Sequence, residues 1–215
     1  MKILYNKFDK TLISDLPVTS FPGRIEVVQG IPQAERAIRY LLSQDILGFD
    51  TETKPSFQKG QMNQVALLQV SSPDLCFLFR LNQIGLPQCI VRLLSDERIT
   101  KVGLSVIEDL NKMRVYRRFK NGRFVELQNF VEEFGIEDKS LRKLYANVFG
   151  QKISKRQQLS NWEADVLTDA QKLYAATDAW ACIKLYQELL RLREVGYRLE
   201  KVPEPVPELL NITAE

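Results

Sequence analysis

The sequence predicts an α/β fold in which helices cover both faces of a mixed sheet. Short apolar runs typical of buried strands alternate along the chain with segments that carry apolar residues at helical spacing. Two strand-like runs, over residues 64–71 and 75–79, are joined around Ser72-Pro73-Asp74, and this short turn predicts an antiparallel pair. With 215 residues and 45% hydrophobic content, the chain can bury one sizeable core, so one domain is the simplest expectation.

The predicted elements follow one another with turn chemistry between them. Residues 1–22 show no clear period, so we expect an N-terminal surface arm before a domain over residues 23–200. The helix-breaking run Pro203-Glu204-Pro205-Val206-Pro207 indicates a C-terminal tail over residues 201–215. Within the domain we expect further strands over 46–52 and 102–104, and helices over 32–43, 87–94, 127–134, 140–148 and 168–192.

The longest predicted helix carries a charge on its apolar face. Thr168 and Gln171 have the spacing of a capping box, and no Gly or Pro interrupts the segment up to Leu192. Asp178 lies on the same face as Tyr174 and the apolar residues Cys182, Leu185 and Leu189, at steps of three or four. Because a buried carboxylate is costly unless something compensates it, a bound metal ion is one of the few explanations for Asp178.

Two further acids, Asp50 and Glu52, lie at the end of the strand predicted over residues 46–52. The period of two in a strand places both side chains on one face, where the like charges repel. A divalent cation between them would relieve the repulsion, and carboxylate oxygens are the ligands that Mg²⁺ and Mn²⁺ select. An acidic strand end in solvent is the alternative interpretation.

A fourth acid, Asp109, follows the strand predicted over residues 102–104. Ser105 and Glu108 have the spacing of a second capping box, so a helix should begin just beyond Ser105. Asp109 then lies at the edge of that helix's apolar face, between Val106 and Met113, without an evident structural role. A first-turn acid favoured by the helix dipole is the alternative.

The segments that contain these acids resemble the three exonuclease motifs of the DEDD superfamily. Residues 49–56, 102–109 and 173–179 are most similar to the tyrosine subgroup, which includes ribonuclease D and the exonuclease domain of the Werner syndrome helicase. The resemblance covers roughly residues 25 to 195. It implies a ribonuclease H-like fold with a mixed sheet of five to six strands, and removal of nucleotides from a 3′ end with two Mg²⁺ or Mn²⁺ ions.

The resemblance also implies a role for each site residue. Asp50 would bind both ions, Glu52 and Asp178 would hold the ion that activates water, Asp109 would support the second ion, and Tyr174 would orient the water. The chain contains no histidine, which excludes His-based triads, His–zinc sites and the histidine subgroup of the superfamily. Because a phenol with a pKa near ~10 is a poor base at neutral pH, positioning water is the more suitable role for the tyrosine.

A catalytically silent nucleic-acid-binding or scaffolding domain of the same fold is the second hypothesis. The presence of all four acids and of the tyrosine favours the active enzyme. The expected substrate is a single-stranded or frayed 3′ end, because a terminal nucleotide must enter a pocket between the Asp50 strand and the Asp178 helix. The sequence does not distinguish DNA from RNA, and it identifies no protein partner.

Several residues are candidates for contacting this substrate. Thr53 and Met62 are expected to border the pocket, and Lys155 or Arg156 lies in a stretch that resembles the loop before the third motif, where basic residues approach the scissile phosphate. The segment 112–123 contains six Lys or Arg residues and no acid, so phosphate binding and a solvated helix end are equally plausible. Trp162 is expected to be a packing anchor.

The compartment follows from two further features of the sequence. The N-terminus lacks the apolar core of a signal peptide, and no apolar run is long enough to span a bilayer, so we expect a soluble cytoplasmic protein without a membrane partner. Cys76, Cys89 and Cys182 are odd in number and set among apolar residues, which indicates reduced core side chains and not a zinc site.

Overall fold

A computed structural model describes residues 1–55 and 63–202 of the chain. Met62 therefore lies outside the described residues, as do all but the first two residues of the predicted tail. The strands are β1 (Lys2–Tyr5), β2 (Val18–Thr19), β3 (Arg24–Val28), β4 (Ile46–Thr53), β5 (Val65–Ser71), β6 (Leu75–Phe79), β7 (Thr100–Gly103), β8 (Phe124–Glu126), β9 (Lys152–Ile153) and β10 (Tyr197–Glu200). The α-helices are α1 (Ile31–Leu41), α2 (Leu81–Ile84), α3 (Gln88–Leu94), α4 (Val106–Met113), α5 (Leu127–Phe130), α6 (Leu141–Phe149) and α7 (Asp169–Val195).

The central sheet is mixed and has six strands, in the order β3-β6-β5-β4-β7-β8. The predicted antiparallel pair is confirmed, because β5 pairs antiparallel with both β6 and β4. The remaining neighbours are parallel. The strands β3 and β8 were not predicted, since both are short edge strands whose residues are largely half-buried or exposed and lack a buried apolar run.

Helices cover both faces of this sheet, as predicted. On one face, α7 packs with α5 and α6 over a core that includes Leu67, Leu78 and Val102. On the other face, α1, α3 and α4 pack over a core that includes Leu47 and Leu68. Among the described residues, no helix combines the length and the apolar character that crossing a bilayer requires.

Residues 1–22 differ from the surface arm that their sequence suggested. β1 pairs in parallel with β10, and β2 pairs in parallel with β9. Leu4 is completely buried, and Phe21 is buried with its backbone N–H donating to the hydroxyl of Thr177. These short segments are stabilised by partners that are distant in the sequence, which leave no local period. The boundaries at residues 22 and 200 stay a prediction.

The helix α7 lies unusually close to the strand β4, and one glycine permits this. The predicted capping box at its start is confirmed, since Thr168 and Gln171 each accept a hydrogen bond from the other's backbone N–H, at 3.0 and 3.2 Å. At Gly48, a Cβ atom would lie 1.9 Å from the carbonyl oxygen of Ala179. Glycine at this position therefore lets α7 approach β4, which brings Asp178 towards Asp50.

The start of α4 differs in detail from the predicted capping box. Ser105 has a left-handed conformation, with φ of 61°, and its hydroxyl does not cap the helix. The carboxylate of Glu126 does so instead, and accepts from the backbone N–H groups of Ser105 and Val106 at 2.9 and 2.7 Å. The predicted box was wrong because a carboxylate from β8 occupies the exposed helix terminus, a contact that local spacing does not reveal.

We expect Ser105→Gly to stabilise the protein. Glycine adopts a positive φ without the steric cost that other residues incur, so the free energy of unfolding should rise by roughly 0.5–1 kcal/mol. Urea denaturation would measure the change. Ser140→Gly is the matched control, because Ser140 has an extended φ of −98° and its hydroxyl caps α6. Stabilisation by both substitutions would contradict the explanation.

Candidate active site

Four carboxylates from three elements converge on one cavity of about 390 Å³. Asp50 and Glu52 come from the same face of β4, and Asp178 comes from α7. One oxygen atom from each of these three side chains lies within 4.8 Å of the others. Asp109, on the first turn of α4, lines the same cavity outside this closest group.

The cluster crowds several acids together, with Asp109 and Asp178 buried and Asp50 and Glu52 half-buried. Burial, followed by the charges of Glu52, Asp178 and Asp109, raises the pKa of Asp50 well above its ordinary value. Burial, followed by the charges of Asp178 and Asp109, raises the pKa of Glu52 to about 9. Burial raises the pKa of Asp178 to about 7, although a hydrogen bond from Tyr174 opposes the shift. Each carboxylate in this group is thus destabilised in its charged form.

Among the four acids, Asp109 has the most neighbouring groups that stabilise its charged form. Burial raises its pKa to about 7, and a hydrogen bond from the side chain of Thr51 acts in the opposite direction. Lys112 Nζ lies 3.9 Å from its carboxylate, one turn along the same helix. This ion pair favours the charged form of Asp109, whereas burial disfavours the charged forms of the other three acids.

The donor set therefore fits divalent cations. It consists of carboxylate oxygens alone, which match the hard ligands that Mg²⁺ and Mn²⁺ prefer. The only thiol in α7 that could serve as a soft metal ligand is that of Cys182. It instead donates a hydrogen bond to the carbonyl oxygen of Asp178, at 3.3 Å. The three cysteines are free, and Cys76 and Cys182 are buried, as expected for core side chains.

Tyr174 borders the cluster as a neutral phenol. Burial and the charges of Asp178, Glu52 and Asp50 raise its pKa well above the ordinary value, so the hydroxyl keeps its proton. Its ring lies 6.0 Å from that of Trp162, measured between centroids. Trp162 is completely buried, which confirms its prediction as a packing anchor and shows that it supports the catalytic tyrosine candidate.

The loop that carries Trp162 is held by an arginine that sequence reasoning missed. Arg80, directly after β6, is completely buried. Its guanidinium donates to the backbone carbonyl oxygens of Ala164 and Asp165. The only signal in the sequence was a basic residue at the end of the apolar run over 75–79.

The structure separates the predicted substrate-contacting residues. Lys155 lines the acidic cavity and makes no ion pair with any described residue. Arg156 lines a neighbouring, mostly apolar cavity of about 240 Å³ that shares Tyr174 as a wall. Thr53 lies at the end of β4, paired with Val65 beside a register shift, and is not among the residues that line the acidic cavity. Lys139, just before α6, and Arg142, in its first turn, were not predicted and also line this cavity.

The basic segment 112–123 makes mainly structural contacts. The hydroxyl of Tyr116 donates to the carbonyl oxygen of Val65 at 2.7 Å, and the guanidinium of Arg114 lies over the ring of Phe119. Arg117 donates to the side chain of Gln88 at 2.7 Å. These contacts favour the interpretation of the segment as a structured helix end.

Comparisons with known proteins agree with this geometry. Residues 25–194 match the 3′-5′ exonuclease family. The bifunctional 3′-5′ exonuclease/ATP-dependent helicase WRN of Mus musculus is 33% identical over 211 residues, which cover 92% of this chain and 15% of that protein. The exonuclease 3′-5′ domain-containing protein 2 of Drosophila melanogaster is 33% identical over 178 residues, which cover 78% of this chain and 30% of that protein. The chain thus spans well under half the length of these two relatives.

Solved structures share the fold. The EXO domain of Aedes aegypti Nibbler superposes with a TM-score of 0.74 at 20% identity, covering 84% of this chain and 95% of that domain. RNase D of Escherichia coli superposes with a TM-score of 0.72 at 18% identity, covering 80% of this chain and 46% of that one. These similarities confirm the predicted ribonuclease H-like fold. Together with the match over residues 25–194, they establish that the chain belongs to the DEDD 3′-5′ exonuclease family.

Proposed function

We propose that this chain is a divalent-metal-dependent exonuclease that hydrolyses phosphodiester bonds from the 3′ end of single-stranded or frayed nucleic acid. The observation that carries the proposal is the approach of Asp50, Glu52 and Asp178 oxygens to within 4.8 Å of one another in a cavity large enough for a nucleotide. Four crowded acids, two buried and two half-buried, are costly for folding, and a cation-dependent reaction gives a reason to keep them.

Each acid has a distinct role in this proposal. Asp50 would contact both of two ions, Glu52 and Asp178 would hold one of them, and Asp109 would support the other from α4. When bound, Mg²⁺ or Mn²⁺ ions lower the pKa of water and stabilise the attacking and leaving oxygens of an in-line displacement at phosphorus. The chain itself supplies oxygen ligands at fixed positions.

Tyr174 positions the attacking water in this scheme. Burial and the neighbouring acids raise its pKa, so in the metal-free protein the phenol keeps its proton. The hydroxyl can hold water by a hydrogen bond while the rings of Trp162 and Tyr174 pack together. The basic side chains of Lys155 and Arg142 line the same cavity and would contact the phosphates of the strand.

Hydrolysis of labelled oligonucleotides tests the proposed function. Single-stranded DNA and RNA labelled at the 5′ end should yield a ladder of shortened products with Mn²⁺ or Mg²⁺ present, and no ladder with a chelator. Strands labelled at the 3′ end should release a labelled mononucleotide first. Binding of the strands without cleavage under any of these conditions would favour the silent nucleic-acid-binding domain.

We expect Tyr174→Phe to reduce turnover but not to abolish it. The substitution removes the hydroxyl that orients water and leaves the ring packing and all four acids intact, so kcat should fall roughly 10- to 100-fold. Single-turnover kinetics with saturating Mn²⁺ would measure the change. A wild-type rate in this variant would exclude a catalytic role for the hydroxyl.

We expect Lys155→Ala to weaken substrate binding more than Arg156→Ala does. Lys155 lines the acidic cavity, whereas the adjacent Arg156 lines the apolar one. Loss of one charge-assisted contact to phosphate should raise KM roughly 10-fold for Lys155→Ala and less than about threefold for Arg156→Ala. Steady-state kinetics at fixed ionic strength would compare the KM values of the two variants. Equal increases in KM would show that the cavity a residue lines does not determine whether it contacts the substrate.

A further inference from the structure

Gln69, in the middle of β5, is a buried polar side chain for which the described part of the chain offers no hydrogen-bond partner. It is 0% exposed, and neither its Oε1 nor its Nε2 atom has a hydrogen-bond partner among the described residues. Burying an amide in this way destabilises a fold, and native proteins leave few such groups unsatisfied. A leucine of similar size would avoid the cost, so the amide at this position requires an explanation.

The sheet register places Gln69 beside the acidic cluster. Gln69 lies directly opposite Asp50 in the antiparallel pair of β5 with β4. Residues opposite each other in such a pair point to the same face, with their Cβ atoms about 4.5–5.5 Å apart, which is within the length of a glutamine side chain. Asp50 is therefore a carboxylate within the reach of the Gln69 amide.

The other neighbours on this face offer Gln69 little. Leu78, opposite Gln69 on β6, is apolar, and so is Leu67, two positions earlier on β5. The hydroxyl of Ser71, two positions later, already donates to the carbonyl oxygen of Ser72 at 2.7 Å. The helix α7 packs against this face, and Gln69 has no surface exposed to solvent.

We propose that Gln69 is a positioning residue whose Nε2 group donates a hydrogen bond to the carboxylate of Asp50 and fixes its rotation for cation binding. The inference deepens the proposed function and rests on it. A neutral amide suits this place, because a lysine would compete with the cations and a glutamate would add a fifth negative charge. Hydrogen bonds to a side chain that binds a metal fix the orientation of that side chain and strengthen metal binding.

The test compares cation affinity with fold stability in Gln69→Leu. Calorimetric titration of the metal-free protein with Mn²⁺ should show roughly 10- to 100-fold weaker binding than the wild type. Thermal unfolding of the same metal-free variant should occur at an unchanged or higher temperature, because leucine removes two unsatisfied polar atoms from the core. A purely structural role for Gln69 would not weaken Mn²⁺ binding in a protein that is equally stable.

Two further variants make the result unambiguous. Gln69→Met keeps the unbranched shape of glutamine but lacks the amide. It should also bind Mn²⁺ more weakly, which would show that the loss in Gln69→Leu does not come from disturbed packing. Leu68→Met, the neighbouring position on the opposite face of β5, should bind Mn²⁺ like the wild type. Wild-type affinity for Mn²⁺ in both Gln69 variants would overturn this inference but leave the proposed function standing. Failure of the wild type to bind Mn²⁺ would overturn the proposed function and the inference with it.

Discussion

Asp50→Asn and Asp178→Asn are expected to lose exonuclease activity and, at the same time, to stabilise the metal-free protein. Each substitution removes a ligand for the cations, so kcat/KM should fall by on the order of 10³-fold or more. The size of the side chain hardly changes, while a carboxyl whose charged form burial disfavours is replaced by a neutral amide. The free energy of unfolding at pH 7 should therefore rise by at least about 1 kcal/mol.

The opposite signs of the two effects make this prediction specific. A residue that matters only for folding would lower stability and activity together. Asp169→Asn is the matched control, because Asp169 lies on the same helix as Asp178 but its side chain is 100% exposed and pairs with Lys172. It should retain activity and gain no stability. Unchanged turnover in either Asp50→Asn or Asp178→Asn would refute the assignment of the site.

The stability of the metal-free protein should fall as pH rises, and Mn²⁺ should reverse this fall. The folded-state pKa is raised to about 9 for Glu52 and to about 7 for Asp109 and Asp178. In the unfolded chain these carboxyls titrate near pH ~4, so the folded state binds more protons between pH ~4 and pH ~9. The stability that protonation provides is fully present below pH ~4 and is lost as pH rises through the folded-state pKa values.

Chemical denaturation in the presence of a chelator would measure this dependence. We expect the free energy of unfolding to decrease by at least about 2 kcal/mol between pH 5 and pH 9. Saturating Mn²⁺ should restore most of the loss at the higher pH, because it binds the folded protein in competition with protons. A flat profile without metal would mean that the carboxylates are not crowded in the folded protein.

The strongest predictions from sequence came from patterns that are complete within one segment. The capping box at Thr168 and the apolar stripe around Asp178 both lie in one helix, and the structure confirms α7 over Asp169–Val195. The alternation in β4 likewise placed Asp50 and Glu52 on one face. Such patterns arise from the period of a single element, so the chain displays them without any knowledge of its neighbours.

Contacts between distant segments were beyond reach of the same reasoning. Local spacing predicted a cap at Ser105, yet the cap is Glu126 from another strand. It also assigned no structure to residues 2–5, which pair with a strand that begins at Tyr197. Spacing cannot distinguish Lys155 from Arg156 either, because adjacent residues on a loop can line different cavities.

The sequence by itself determined the family, the fold class and the identity of the four acids, because motifs and periodicities are properties of the chain alone. Only the tertiary structure decided that these acids meet, through the approach of α7 to β4 over Gly48. It alone revealed the unpartnered amide of Gln69 opposite Asp50. The physical reason is that distance, burial and hydrogen-bond satisfaction depend on strand register and helix packing, which are set by contacts across the whole domain.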